Sequence, residues 1–103
     1  MVKKIAFIGA GSMAEAIIAG MVNKNVLESE KIFVANKENE ARLEELKAKY
    51  NIIGNTNKEE VIQDADVIFF ATKPYDMESA ILDTKEYIQP HHLVISVVVG
   101  GST

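Results

Sequence analysis

A doubly wound α/β fold, with one parallel sheet between two layers of helices, is predicted by three features of this 103-residue sequence. Short apolar runs bounded by turn residues recur between stretches of helical periodicity, the alternation that builds a parallel sheet with helices on both faces. The first apolar run ends in Gly9-Ala10-Gly11 and passes directly into a helical stretch. The fourth ends in Thr72-Lys73-Pro74, and a proline there cannot continue a central strand. With right-handed crossovers the expected strand order is 3-2-1-4-5, so the two turns face each other across the switch point at the carboxyl edge.

The run Lys4 to Ile8 is short and apolar, as expected of a strand buried on both faces. In the helix that follows, Ala14, Ile17, Ile18, Met21 and Val22 form one buried stripe, while Ala16, Ala19 and Gly20 keep the flanking faces slim. Gly9, Gly11 and Ala14 fit the G-x-G-x-x-G/A spacing of Rossmann-like nucleotide sites. The first glycine permits the tight turn, the second lets backbone approach a pyrophosphate, and the third small residue lets helix and strand pack closely. Amides at the helix start then face the phosphates. Ser12 and Glu15 have the S-x-x-E spacing of a capping box, a role that competes with a ligand role for the Ser12 hydroxyl.

After the polar connection Asn23-Lys24-Asn25, Lys31 to Ala35 reads as the second strand, with Asn36-Lys37 at its carboxyl end. NAD-selective sites place Asp or Glu there to accept hydrogen bonds from the ribose 2′-OH. A neutral donor beside a cation instead accommodates a 2′-phosphate, so the pair favours NADP over NAD. Asn36 also suits the N-cap of the next helix, and the two roles can coexist. The charged run Glu38 to Tyr50 carries Leu43, Leu46 and Tyr50 as its buried stripe. The pairs Glu38/Arg42 and Glu45/Lys49 at i,i+4 are expected to form a solvated face.

Asn51 to Gly54 reads as the third strand, and Thr56 to Glu60 opens a helix carrying Val61 and Ile62. Thr56/Glu59 and Asn57/Glu60 both have cap spacing, and on its own Asn57 reads as a cap. Asp66 to Ala71 is the most continuous buried run. Lys73 then points into the crevice or lies on its rim, against the competing reading of a solvated loop lysine. Met77, Ala80, Ile81, Thr84 and Ile88 form a further stripe closed by Pro90. His91 and His92 are expected to point to different sides of an extended chain. With no third ligand at metal spacing, no metal site is expected. Leu93 to Val99 is the last strand, followed by Gly100-Gly101-Ser102-Thr103.

Length and 48% hydrophobic content suit one domain with a real core. A net charge of −4 and a pI near 5.1 argue against general binding to nucleic acid or membrane surfaces. The absence of cysteine excludes disulfides, thiol nucleophiles and thiolate zinc sites, and suits a reducing compartment. The apolar run before Gly9 is too short for a signal-peptide core or a membrane span, so a cytoplasmic protein is expected.

Phe7-Ile8-Gly9-Ala10-Gly11-Ser12-Met13-Ala14-Glu15-Ala16-Ile17, Ala71-Thr72-Lys73-Pro74 and Val94-Ile95-Ser96 running to Gly100 together resemble pyrroline-5-carboxylate reductase, across all 103 residues. The resemblance implies reduction of the cyclic imine 1-pyrroline-5-carboxylate to proline, with hydride from NADPH or NADH, at the last step of proline synthesis. It implies pyrophosphate contacts from Ile8, Gly9, Ala10, Gly11, Ser12 and Met13, a 2′-phosphate or ribose contact at Asn36 and Lys37, and a ribose contact at Asn57. Ala71, Thr72 and Lys73, with Pro74 fixing the turn, would line the nicotinamide side, as would Val97 and Val98. One departure falls there: the family commonly has two alanines before the glycine, where this chain has Val98-Val99-Gly100.

Family members continue into a helical domain that supplies much of the substrate site and the dimer contact, and this chain ends where that domain would begin. The expectation is therefore an NADP-binding domain that holds NADPH without turning over substrate, from a protein that forms homo-oligomers when complete. No residue reads as a dedicated general acid, and Lys73 is the candidate for an orienting role. Two other readings stay open: a deazaflavin-type NADP reductase with a similar glycine turn, and a non-catalytic nucleotide-binding module.

Overall fold

The computed structural model describes residues 4–25, 28–36, 40–55, 57–71 and 74–96. The strands β1 (Ile5–Ile8), β2 (Ile32–Ala35), β3 (Ile53–Asn55), β4 (Val67–Phe70) and β5 (Leu93–Ser96) form one parallel sheet in the order β3-β2-β1-β4-β5. Helices α1 (Ser12–Asn23), α2 (Glu40–Tyr50), α3 (Lys58–Ile62) and α4 (Pro74–Thr84) occupy the crossovers. The expected fold class and strand order are both met. Ile8 stands opposite Ala35 on one side and Phe70 on the other, so β1, β2 and β4 end level with one another.

Every residue of β1 is buried, and its side chains alternate between two cores. Ile5 and Phe7 pack with Ala14 and Ile18 of α1 and Leu43 and Leu46 of α2. Ala6 and Ile8 pack on the other face with Val61 and Ile62 of α3, Phe70 and Ala80. Burying each large apolar side chain contributes about 1.5–3 kcal/mol, so a one-residue slip of β1 would exchange both cores at once. Phe7 and Phe69 stack across adjacent strands with ring centroids 4.8 Å apart. The buried stripes expected of α1 and α2 form as read.

Some boundaries differ from the expectation for local reasons. Asn51 does not begin β3. It adopts φ 60° and donates its N–H to the Lys47 carbonyl at 2.9 Å, closing α2 with a left-handed residue, a role asparagine tolerates. Short 3₁₀ turns at Ser29–Lys31 and Lys85–Tyr87 were not expected. In α4, Ala80 and Thr84 are buried, but Ile81 is 38% exposed and leaves the expected stripe; the Met77 side chain lies outside the described residues. Thr84 turns its hydroxyl back onto the Ala80 carbonyl at 2.9 Å, which satisfies a polar group inside the core. Among the described residues, no helix is long and apolar enough to cross a membrane.

Candidate functional site

Three strand ends are tied together at the carboxyl edge. The Gly9 N–H donates to the Ala35 carbonyl and the Ala71 N–H donates to the Ile8 carbonyl, each at 2.9 Å. Gly9 has φ 105°, a region that residues with a Cβ rarely adopt, so the turn leaving β1 requires glycine at this point. Gly11 differs. It is exposed, has an ordinary φ of −77°, and forms the N-cap of α1.

Among the described residues, a Cβ placed on Gly11 would meet only the Ala71 carbonyl oxygen, at 3.8 Å, an ordinary contact. Packing among the described residues therefore does not demand glycine there. The missing side chain opens the gap between the glycine turn and the end of β4, which is where a phosphate must approach the backbone. The first hydrogen bond within α1 runs from the Glu15 N–H to the Gly11 carbonyl, so the preceding amides of Ser12, Met13 and Ala14 are the groups a helix start leaves for an anion. The geometry fits a pyrophosphate.

The capping box does not form. Because Gly11 is the N-cap, Ser12 is already helical and Glu15 falls one position too late to reach back. Its carboxylate instead accepts hydrogen bonds from Arg42 at 2.7 Å and from Lys49 and Tyr50 at 2.9 Å each. Lys49, Arg42 and Tyr50, in that order, hold the Glu15 carboxyl down at about 2, and the same carboxylate raises the pKa of Lys49, Arg42 and Tyr50. The Arg42 Nε also donates to the Ala10 carbonyl at 2.7 Å, its Nη2 reaches the Gly11 carbonyl at 3.4 Å, and its Nη1 pairs with Glu45 at 3.0 Å.

The charged face expected of α2 is solvated at Glu44, Glu45, Lys47 and Lys49, and Glu38 lies outside the described residues, but Arg42 and Lys49 also reach Glu15 in a cluster that ties α2 to α1 and to the glycine turn. The role of Arg42 is hidden in the sequence because Glu38 and Glu45 offer it partners at helical spacing. Adjacent placement of α1 and α2 on one layer was the available signal.

Of the remaining expected site residues, Ile8, Ala10 and Ala71 are buried and Met13 is half-buried beside the turn. Asn36 follows β2 directly and donates its N–H to the Asn55 carbonyl at 3.4 Å. Asn57 caps α3, its Oδ1 accepting from the N–H groups of Glu59 at 2.9 Å and Glu60 at 3.4 Å. Glu60 does not complete a capping box, since its carboxylate takes the Asn55 Nδ2 at 2.6 Å. Parallel strands put Asn36, Asn57, the glycine turn and Ala71 at one edge. Pro74 begins α4. Lys37, Thr72, Lys73, Val97 and Val98, and the side chains of Ser12 and Pro74, lie outside the described residues.

The histidine pair departs from expectation. The His91 and His92 rings lie 4.2 Å apart, because the chain turns after Pro90: the His92 N–H donates to the Gln89 carbonyl at 3.0 Å, and the Gln89 N–H donates to His92 Nδ1 at 2.8 Å. Burial, with His91 second, lowers the His92 pKa. Both rings line a cleft of about 340 Å³ with Glu59, Asp64 and Glu86. That cleft lies before the starts of β4 and β5, at the edge opposite the glycine turn, and its carboxylates suit no phosphate.

Residues 4–100 match the family described as NADP oxidoreductase, coenzyme F420-dependent. The chain is 48% identical over 101 residues to pyrroline-5-carboxylate reductase 1 of Bacillus spizizenii, covering 98% of this chain and 34% of that protein. Among solved structures it is similar to a Coxiella burnetii pyrroline-5-carboxylate reductase, with TM-score 0.85 and 29% identity over 97% of this chain and 37% of that one. It is also similar to a Plasmodium falciparum pyrroline carboxylate reductase with NADP bound, with TM-score 0.75 and 25% identity over 92% of this chain and 33% of that one. The chain spans about a third of the length of these relatives.

Proposed function

We propose, from the premise that this chain belongs to the family of coenzyme F420-dependent NADP oxidoreductases, that residues 1–103 form the NADP-binding domain of a cytoplasmic pyrroline-5-carboxylate reductase. The single observation that carries the cofactor assignment is the gap that the described residues leave between Gly11 and the Ala71 carbonyl, at the edge where the first-turn amides of α1 point. Bound NADPH supplies hydride for the imine carbon of 1-pyrroline-5-carboxylate. The amides after Gly9 bind the pyrophosphate, Asn36 and Lys37 receive the 2′-phosphate, and Asn57 contacts the ribose. The turn of Ala71, Thr72 and Lys73, held by Pro74, together with Val97 and Val98, lines the nicotinamide side, with Lys73 as an orienting charge. The substrate site is completed by a helical domain outside residues 1–103, which also carries the contact between copies.

Calorimetric titration with NADPH tests the binding claim, and absence of binding overturns it. The substrate claim is tested by assaying the full-length protein for NADPH oxidation dependent on pyrroline-5-carboxylate. The family's description favours one second reading, hydride exchange between NADP and a deazaflavin; turnover with coenzyme F420 and none with pyrroline-5-carboxylate would select it. Residues 1–103 alone are expected to bind NADPH and not to turn over, and robust reduction by them would overturn the requirement for the helical domain.

A further inference from the structure

We infer that Arg42 is a positioning residue for the pyrophosphate: from α2 it holds two peptide planes of the glycine turn so that their N–H groups face the crevice. The inference rests on the NADP-binding reading above. In a trans peptide the C=O and N–H point in opposite directions, and the described chain contains no cis peptide bond. Arg42 Nε draws the Ala10 carbonyl toward α2 at 2.7 Å, which sends the Gly11 N–H away from α2. Its Nη2 reaches the Gly11 carbonyl at 3.4 Å and does the same for the Ser12 N–H.

A turn containing two glycines has unusual backbone freedom, and that freedom must be removed before an anion can bind tightly. Arg42 is well placed to remove it. It stands on a helix anchored by the buried Leu43 and Leu46, and its side chain is 20% exposed. Its planar fork spans two carbonyls and two carboxylates at once, which a single ammonium cannot do. Glu15 and Glu45 take up the guanidinium charge through contacts of 2.7 and 3.0 Å. The brace therefore acts through geometry and adds little positive charge of its own. A positioning role of this kind affects every ligand that contains the pyrophosphate, whereas a 2′-phosphate ligand would affect NADPH and spare NADH.

The test measures affinities of the purified protein for NADPH, NADH and 2′-AMP, which lacks the pyrophosphate, in the unsubstituted form and in Arg42→Lys and Arg42→Gln. Arg42→Lys keeps a charge for Glu15 and Glu45, so it remains informative if Arg42→Gln does not fold. Amide resonances of Gly11 and Ser12 are recorded without ligand. Both variants are expected to weaken NADPH and NADH alike, by about tenfold or more, to leave 2′-AMP unchanged and to shift the two amides. A loss confined to NADPH and 2′-AMP would make Arg42 a 2′-phosphate ligand and overturn the inference. A lower melting temperature with unchanged affinities would make it a clasp between α1 and α2, with the same result. If the unsubstituted protein binds neither dinucleotide, the cofactor reading fails first and this inference falls with it.

Discussion

Gly11 faces Ala71 across the crevice, and a Cβ added to Gly11 would stand 3.8 Å from the Ala71 carbonyl oxygen, with nothing nearer among the described residues. Gly9, two residues earlier, has φ 105°. The two glycines therefore differ in what requires them. Gly9→Ala should destabilise the fold by about 1–2 kcal/mol, because a side chain must be held in a left-handed conformation. Gly11→Ala should change stability by no more than about 0.5 kcal/mol, since it is a surface position with ordinary φ, yet it should abolish NADPH binding by filling the approach to the pyrophosphate. Urea denaturation and calorimetric titration separate the two effects. NADPH affinity unchanged in Gly11→Ala would remove the main support for the site.

The Glu15 cluster contributes to the acid limb of stability. The folded-state value of about 2 lies below the ordinary 4.5, so the folded protein binds this proton more weakly than the unfolded chain does. The stabilisation is therefore complete above pH 4.5 and is lost as pH falls from there toward about 2. Glu15→Gln should lower stability at neutral pH and flatten the fall between about pH 5 and about pH 2. Added salt should reduce the difference, because the cluster is partly open to solvent. Urea midpoints that run parallel for the two proteins across that range would show that the contacts to Lys49, Arg42 and Tyr50 contribute no net stability.

Patterns that are local in sequence are legible from the residues alone. The alternation of Ile5 and Phe7 with Ala6 and Ile8, both faces apolar, identifies a central parallel strand, and Gly9-x-Gly11 at its end locates the turn. What could not be read locally was competition for the same group. Glu15 has capping-box spacing, but Gly11 takes the cap and frees the carboxylate for Arg42, 27 residues away. Asn51 precedes two isoleucines and looks like a strand residue, but the end of α2 needs a left-handed residue first. Arg42 and Lys49 have plausible partners within α2, and only the side-by-side placement of α1 and α2 redirects them to Glu15.

Asn36 sits one residue past β2, with its N–H on the Asn55 carbonyl at 3.4 Å, so its backbone is fixed at the edge where an adenosine ribose would lie. Asn36→Asp adds a negative charge there with little change in volume. Repulsion of a 2′-phosphate, together with a new acceptor for a 2′-OH, should shift the ratio of NADPH to NADH affinity toward NADH by about tenfold. The ratio of dissociation constants is the measurement. An unchanged ratio would restrict Asn36 to its structural role and leave Lys37 to carry the NADP preference.

Asn57 offers the clearest separation of a structural role from a ligand role. Its Oδ1 already accepts from the Glu59 and Glu60 amides, and α3 is only five residues long, so the cap matters to whether this helix forms. Asn57→Ala should cost about 1 kcal/mol by leaving those donors without their side-chain acceptor. Asn57→Ser and Asn57→Asp both restore an acceptor, and serine and aspartate are good caps, so both should return stability close to that of asparagine. Neither carries an amide N–H₂, the group through which Asn57 would donate to a ribose oxygen. If Asn57 contacts the cofactor, the Ser and Asp variants should bind NADPH several-fold more weakly, with the adenosine and nicotinamide halves of the binding surface otherwise intact. If affinity follows stability instead, falling in Asn57→Ala and recovering fully in Asn57→Ser, the residue is a cap alone and the ribose is held by other groups at this edge.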